Sequence, residues 1–182
     1  PSAPPAVLPS ETEQPRWSLE FLDQFLSGEQ GREGSAQAGA AVYAKARCSA
    51  CHKMESQGGG FGPDLTSINR RFTRTEVLES ILFPSHVISD QYATKKVITK
   101  NGEIYTGVVV KTSKGIAVRV NENKEFMIPD EEIEELAPSK VSAMPAGLLD
   151  ELSPTEIRDL MCYLGYVPED KRTADQPTTL RR

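Results

Sequence analysis

The sequence predicts a mainly α fold into which a small antiparallel β-sheet or barrel is inserted. Three observations predict it. Capped, helically spaced apolar stripes recur along the chain; the period drops to two between Tyr92 and about Leu136; and a C-x-x-C-H pentad, Cys48-Ser49-Ala50-Cys51-His52, ends an alanine-rich helical run. With 182 residues there is room for one core of ordinary domain size and a smaller satellite.

The elements follow in chain order. Residues 1–16 (PSAPPAVLPSETEQPR) are proline with polar fillers, which reads as an extended linker. Over 17–28, Phe21, Leu22, Phe25 and Leu26 fall on one side of a short amphipathic helix stopped at Gly28, an accessory helix on the outside of the main domain. Ala36 to Arg47 is the helix that runs into the pentad. Thr73-Arg74-Thr75-Glu76 and Ser153-Pro154-Thr155-Glu156 both fit the capping box, in which hydroxyl and carboxylate each satisfy a free backbone donor. Pro154 suits the first helical position, and each box precedes an apolar stripe.

Between the two boxes, Tyr92 to Lys100 and Ile104 to Thr112 read as strands joined at Asn101-Gly102, a two-residue turn that needs positive φ. Ile116, Val118 and Val120 alternate with polar or small residues, and Phe126 and Ile128 continue the alternation in a fourth strand. The chain thus divides into a main domain over 29–91 and 138–168, an inserted β subdomain over 92–137 and a flexible tail over 169–182. Asp130 to Glu135 packs five carboxylates into six positions, a solvated face or a docking patch for a charged partner.

The pentad carries the chemistry. Two cysteines at this spacing each capture a vinyl group of a haem, and the adjacent imidazole of His52 ligates its iron. A thioredoxin-like dithiol would need the motif after a strand of a βαβ unit, and a structural zinc site would need four ligands, for which only the lone His86 and Cys162 are left. Cys162 lies in the last helical segment, whose apolar stripe is Ile157, Leu160, Met161 and Leu164, and reads as a small buried or half-buried side chain, with an intermolecular disulfide as the alternative.

A haem at His52 makes two further demands. The ring nitrogen that does not bind iron needs an acceptor, and the iron needs a sixth ligand or an open face. For the sixth ligand the candidate is Met144, in the non-helical Ser142-Ala143-Met144-Pro145 ahead of the final helix. Met54 is too near His52 to reach the opposite face, Met161 lies on a helix stripe, Met127 sits in a strand, and His86 after Pro84 would give a bis-histidine iron. His52 and Met144 are 92 positions apart, and taking out the roughly 45 residues of the β segment leaves a compact loop around one haem.

The helix with Gly39 and Tyr43, the pentad, Gly62-Pro63-Asp64-Leu65, Met144-Pro145 and a last helix with Leu160, Tyr163 and Leu164 resemble a class I c-type cytochrome. More narrowly, the stretches Gly62 to Ser89, Tyr92 to Val110, Ile128 to Ser139 and Met144 to Leu164 resemble a haem-binding domain family of planctomycetes and verrucomicrobia. The resemblance covers about residues 30–166. It implies the class I helical fold around one haem c, attached through Cys48 and Cys51, with the Pro63 carbonyl as acceptor for His52 and with Gly39 and Tyr43 packed on the terminal helix.

The functional expectation is a monohaem electron carrier rather than an enzyme. A His52/Met144 iron has no vacant position for substrate, so one-electron exchange is what it can do. Arg70 and Arg71 are candidates to pair with the propionates, or a solvated basic pair. The expected partners are a redox donor and acceptor, such as a periplasmic dehydrogenase or respiratory chain, with fused upstream domains as an option. The alternative is a five-coordinate haem that senses a gas or reduces peroxide. The chain is mildly acidic, net charge −5, and no nucleic-acid partner is expected. No apolar run is long enough for a membrane span, and a start at Pro1 suggests a removed signal or upstream portion. Because covalent c-type haem attachment takes place outside the bacterial cytoplasm, a periplasmic or other extracytoplasmic location is expected.

Overall fold

The computed structural model describes residues 15–166. The proline-rich linker expected over 1–16, except its last two residues, and the tail expected over 169–182 lie outside the described residues.

Helix α1 (Leu19–Ser27) starts where the Ser18 hydroxyl accepts from the Phe21 N–H, and it buries Leu22 and Leu26. Helix α2 (Ala36–Lys45) is capped in the same way by Ser35. A two-residue hairpin, β1 (Lys53–Met54) with β2 (Gln57–Gly58), follows the pentad. Helices α3 (Arg74–Leu82) and α4 (Pro154–Tyr163) each carry the expected capping box, with both reciprocal bonds formed. Each cap supplies about 1 kcal/mol of helix stability.

The helical core is built where α2 meets α4. At Gly39 the backbones come so close that a Cβ would lie 1.9 Å from the Asp159 carbonyl oxygen, so only glycine fits. One turn on, the rings of Tyr43 and Tyr163 meet at 5.3 Å between centroids. Leu22, Leu78, Leu149, Leu152, Ile157 and Leu160 fill the space between the helices. Cys162 is buried as well, against Gly34, in keeping with the reading of a small buried or half-buried side chain.

Between α3 and α4 in the chain lies a five-stranded antiparallel sheet, β3 (Thr94–Thr99), β4 (Ile104–Thr112), β5 (Gly115–Asn121), β6 (Lys124–Ile128) and β7 (Ile133–Pro138), in spatial order β6-β5-β4-β3-β7. It has its own small core of Val97, Ile116, Val118 and Ile128, backed by Tyr105, Val109 and Ile133. The register explains this, since Val109 faces Val118 and Ile116 faces Ile128 on one side of the pleat. The sheet is tied to the loop before α4 by the Thr94 hydroxyl, which donates to the Val141 carbonyl at 2.5 Å.

Three expectations change here. The fold is not mainly α, because 36% of the described residues are helical and 24% are in strands. The sheet has a fifth strand, β7, in the acidic stretch read only as a charged run. Its backbone pairs with β3, Val97 opposite Leu136, while Glu134 and Glu135 face water, which suits an edge strand that must not recruit another chain. The turn at Asn101-Gly102 is a three-residue loop: Gly102 N–H donates to Thr99, Thr99 N–H to Glu103, and only Gly102 has positive φ (85°). A glycine in the left-handed position after a type I turn closes such a hairpin as well as a two-residue turn does.

Candidate functional site

The pentad is presented by a sharp exit from α2. Arg47 takes the left-handed conformation (φ 62°), rare for a residue with a Cβ and costing about 1 kcal/mol, and this swings the chain into a single 3₁₀ turn over Cys48–Ala50. The N–H groups of Cys51 and His52 both donate to the Cys48 carbonyl, at 3.2 and 2.9 Å. Tyr43 holds the end of the turn, its hydroxyl donating to the His52 carbonyl at 2.9 Å. Burial pushes the Tyr43 phenol well above its usual range, so it stays a donor.

Residues 59–65 wrap the pentad from the other side. Gly59 N–H donates to Ser49, Gly62 N–H to Cys51 and Leu65 N–H to Lys53, at 2.8 to 2.9 Å. The Pro63 carbonyl lies 2.9 Å from His52 Nδ1. A carbonyl only accepts, so Nδ1 carries the proton and Nε2 keeps the lone pair. Burial lowers the His52 pKa, with the Pro63 bond opposing, so the ring is neutral at pH 7. The ring packs directly on the loop: a Cβ at Gly62 would sit 2.6 Å from its Cε1.

Cys48 and Cys51 are both thiols and half-buried. Burial pushes Cys48 up to about 11 and raises Cys51 as well. A redox dithiol works the other way, through a depressed thiolate, and the pentad leaves a helix rather than a strand, so the thioredoxin-like reading has no support. Among the described residues no three His, Cys, Asp or Glu side chains gather as a metal site, so the zinc reading has none either.

The arrangement fits a covalently held haem. Two thiols on one turn precede a neutral imidazole whose second nitrogen is fixed by its hydrogen bond to Pro63, and half-buried Cys48, Leu65, Ile68, Phe83 and Met144 pack against the same helical core. An apolar rim left partly open is what a porphyrin face would cover.

The other sequence candidates fall as follows. Met144 is half-buried, and its N–H donates to the Ser142 hydroxyl; Ser142 N–H in turn donates to the Ser85 hydroxyl at 3.0 Å. The segment around Met144 is therefore pinned next to His86, whose exposed ring stacks on Phe83 at 4.8 Å. Met54 and Met161 are buried in the helical core, and Met127 is 53% exposed on the sheet. Arg70 and Arg71 are exposed; Arg71 donates to the Asp64 carbonyl at 3.1 Å, which braces the loop around Pro63.

Three contributors went unread in the sequence. Phe61, only 7% exposed, lies beneath the guanidinium of Arg119 from β5, 5.3 Å from the ring centroid, and the Glu122 carboxylate reaches the Gly60 N–H at 3.5 Å. The single aromatic in Gly58-Gly59-Gly60-Phe61-Gly62 was the available signal; its partner 58 positions on was not readable. Arg119 and Glu122 also line an open depression on the sheet with Val110, Ala117 and Met127, which includes no residue of the pentad.

Residues 36–94 match the family model Cytochrome c. The match runs from the first residue of α2 to the first of β3, so it takes in the pentad and its wrapping loop and stops where the sheet starts. It supports a c-type cytochrome with a haem-binding, electron-transfer role. No curated protein matches the chain. Among the described residues no helix is long and apolar enough to cross a membrane.

Proposed function

We propose that this chain is a monohaem c-type cytochrome whose haem is stapled to Cys48 and Cys51 and ligated by His52 and Met144. The observation that carries the reading is the His52 imidazole, held in one tautomer by Pro63 directly after the turn that carries Cys48 and Cys51. When bound, the haem supplies reversible one-electron chemistry between two iron oxidation states. The protein's part is to hold its ligands still. Tyr43, Pro63 and Gly62 immobilise His52, and Ser142 and Ser85 restrain the backbone before Met144, so little rearrangement need accompany a change of charge. Arg70 and Arg71 offer charge for the propionates.

The chain serves as an electron carrier between a redox donor and an acceptor, of the kind a periplasmic dehydrogenase or respiratory chain provides. Its location is extracytoplasmic, where covalent haem attachment takes place. Within the cytochromes, stretches between Gly62 and Leu164 resemble the haem-binding domains of planctomycetes and verrucomicrobia, which differ from ordinary class I members in carrying a β insertion. The test is to produce the protein in a host competent in cytochrome maturation and to record its mass and visible spectrum. A mass increased by one haem, with the spectrum of a six-coordinate c-type iron in both oxidation states, is expected; protein of bare polypeptide mass overturns the proposal.

A further inference from the structure

We infer that the β-sheet tunes the haem iron, through a pair of opposite charges, Arg119 and Glu122, set against the Gly60-Phe61 step of the loop that wraps Cys51 and His52. The inference rests on the haem reading given above.

The loop is moulded onto the pentad by its own backbone. Gly59 and Gly62 donate to Ser49 and Cys51, and side chains are excluded at both, since a Cβ at Gly59 would meet the Ala50 carbonyl at 2.3 Å and one at Gly62 the His52 ring at 2.6 Å. Phe61 is its one aromatic side chain, and it is buried under the guanidinium of Arg119 from the sheet. Arg119 lies on β5. It faces Glu125 in the β5–β6 register, with 3.7 Å between the charged groups, and β4 approaches so closely that a Cβ at Gly107 would meet the Arg119 carbonyl at 2.3 Å. Glu122, in the turn after β5, meets the loop one residue earlier, at the Gly60 N–H.

Charges held against the loop that packs on His52 would bias the oxidation state of an iron ligated there. A carboxylate favours the more positive ferric form and a guanidinium the ferrous form, both more strongly where water is excluded. Arg119 and Glu122 are positioning and tuning residues; neither touches the ligands. The sheet is on this view part of the redox centre and not a separate docking module.

The experiment is a spectroelectrochemical titration of the full haem-loaded chain and of Glu122→Gln, Arg119→Gln and Arg119→Lys, with thermal unfolding and the amide exchange rate of Gly62 measured in parallel. Expected are a potential raised by Glu122→Gln, lowered by Arg119→Gln and returned toward wild type by Arg119→Lys, all with the wild-type visible spectrum. Unchanged potentials in both Gln variants overturn the inference while leaving the haem reading intact. Shifts of one sign in both, accompanied by faster Gly62 exchange, overturn it in favour of simple loosening of the loop. A wild-type chain without covalent haem overturns the inference together with the reading beneath it.

Discussion

The Cα of Gly62 faces the His52 imidazole so closely that a methyl group there would lie 2.6 Å from Cε1 and 2.7 Å from Nδ1. The same residue's N–H donates to the Cys51 carbonyl, and the carbonyl of the next residue, Pro63, accepts from Nδ1–H. The glycine is needed for close approach, since its φ is not in the left-handed region.

Gly62→Ala therefore forces the ring off the Pro63 carbonyl. The expected cost is about 1–3 kcal/mol, the usual range for overpacking, together with reduced covalent haem content. Gly60→Ala is the matched control, because nothing lies within 4 Å of a Cβ there, and it should stay within about 0.5 kcal/mol of wild type. Denaturant midpoints and haem-to-protein ratios of the two variants check this; equal behaviour would remove the packing argument.

Tyr43→Phe keeps the ring contact with Tyr163 and deletes only the hydroxyl that donates to the His52 carbonyl. That carbonyl is then left in a partly buried place without its donor, at a cost of about 1–3 kcal/mol. Urea unfolding should show a lower midpoint at unchanged slope, with haem still attached.

What the sequence made legible was local. Each capping box was readable because both of its bonds lie within four residues, and α2 was readable because its alanines, its cap and the pentad are contiguous. Likewise the Pro63 acceptor sits only eleven residues from His52, inside a motif that a resemblance could carry. Strand β7 was lost because five carboxylates hid its pattern; what makes it a strand is the vacant edge of β3, a tertiary fact. For the same reason the Arg119 and Phe61 pairing had no local trace, and neither did the Ser85 to Ser142 bond that brings the His86 segment beside the one containing Met144.

Acid stability should depend on Glu156. Its carboxylate accepts from Lys45 at 2.6 Å, joining α4 to α2, and from Ser153 within its own capping box. The Lys45 bond first and the Ser153 backbone bond second hold its pKa down, from 4.5 to about 2. A depressed folded-state pKa contributes stability that is complete above the unfolded value and is lost as pH falls. The loss should therefore run from about pH 4.5 down to about pH 2. Both side chains are partly solvated, so added salt should shrink the effect. Glu156→Gln should flatten the stability profile over that window; a profile as steep as wild type would assign acid sensitivity to other carboxylates.

The sixth ligand is decided by comparing Met144→Ala with His86→Ala. Met144 is half-buried against the helical core together with Cys48, whereas the His86 ring is exposed and occupied with Phe83. A thioether stabilises ferrous iron and raises the potential, so its loss should lower the potential and open a coordination position. Met144→Ala is expected to keep the covalent haem, since that depends on Cys48 and Cys51, and to bind carbon monoxide in the reduced state without a prior ligand-loss step. His86→Ala should leave spectrum, potential and carbon monoxide resistance as in wild type. Rapid carbon monoxide binding by the unaltered reduced protein would instead mark an open iron and turn the functional reading toward gas sensing or peroxide reduction. A spectral change confined to His86→Ala would hand the ligand role to that histidine.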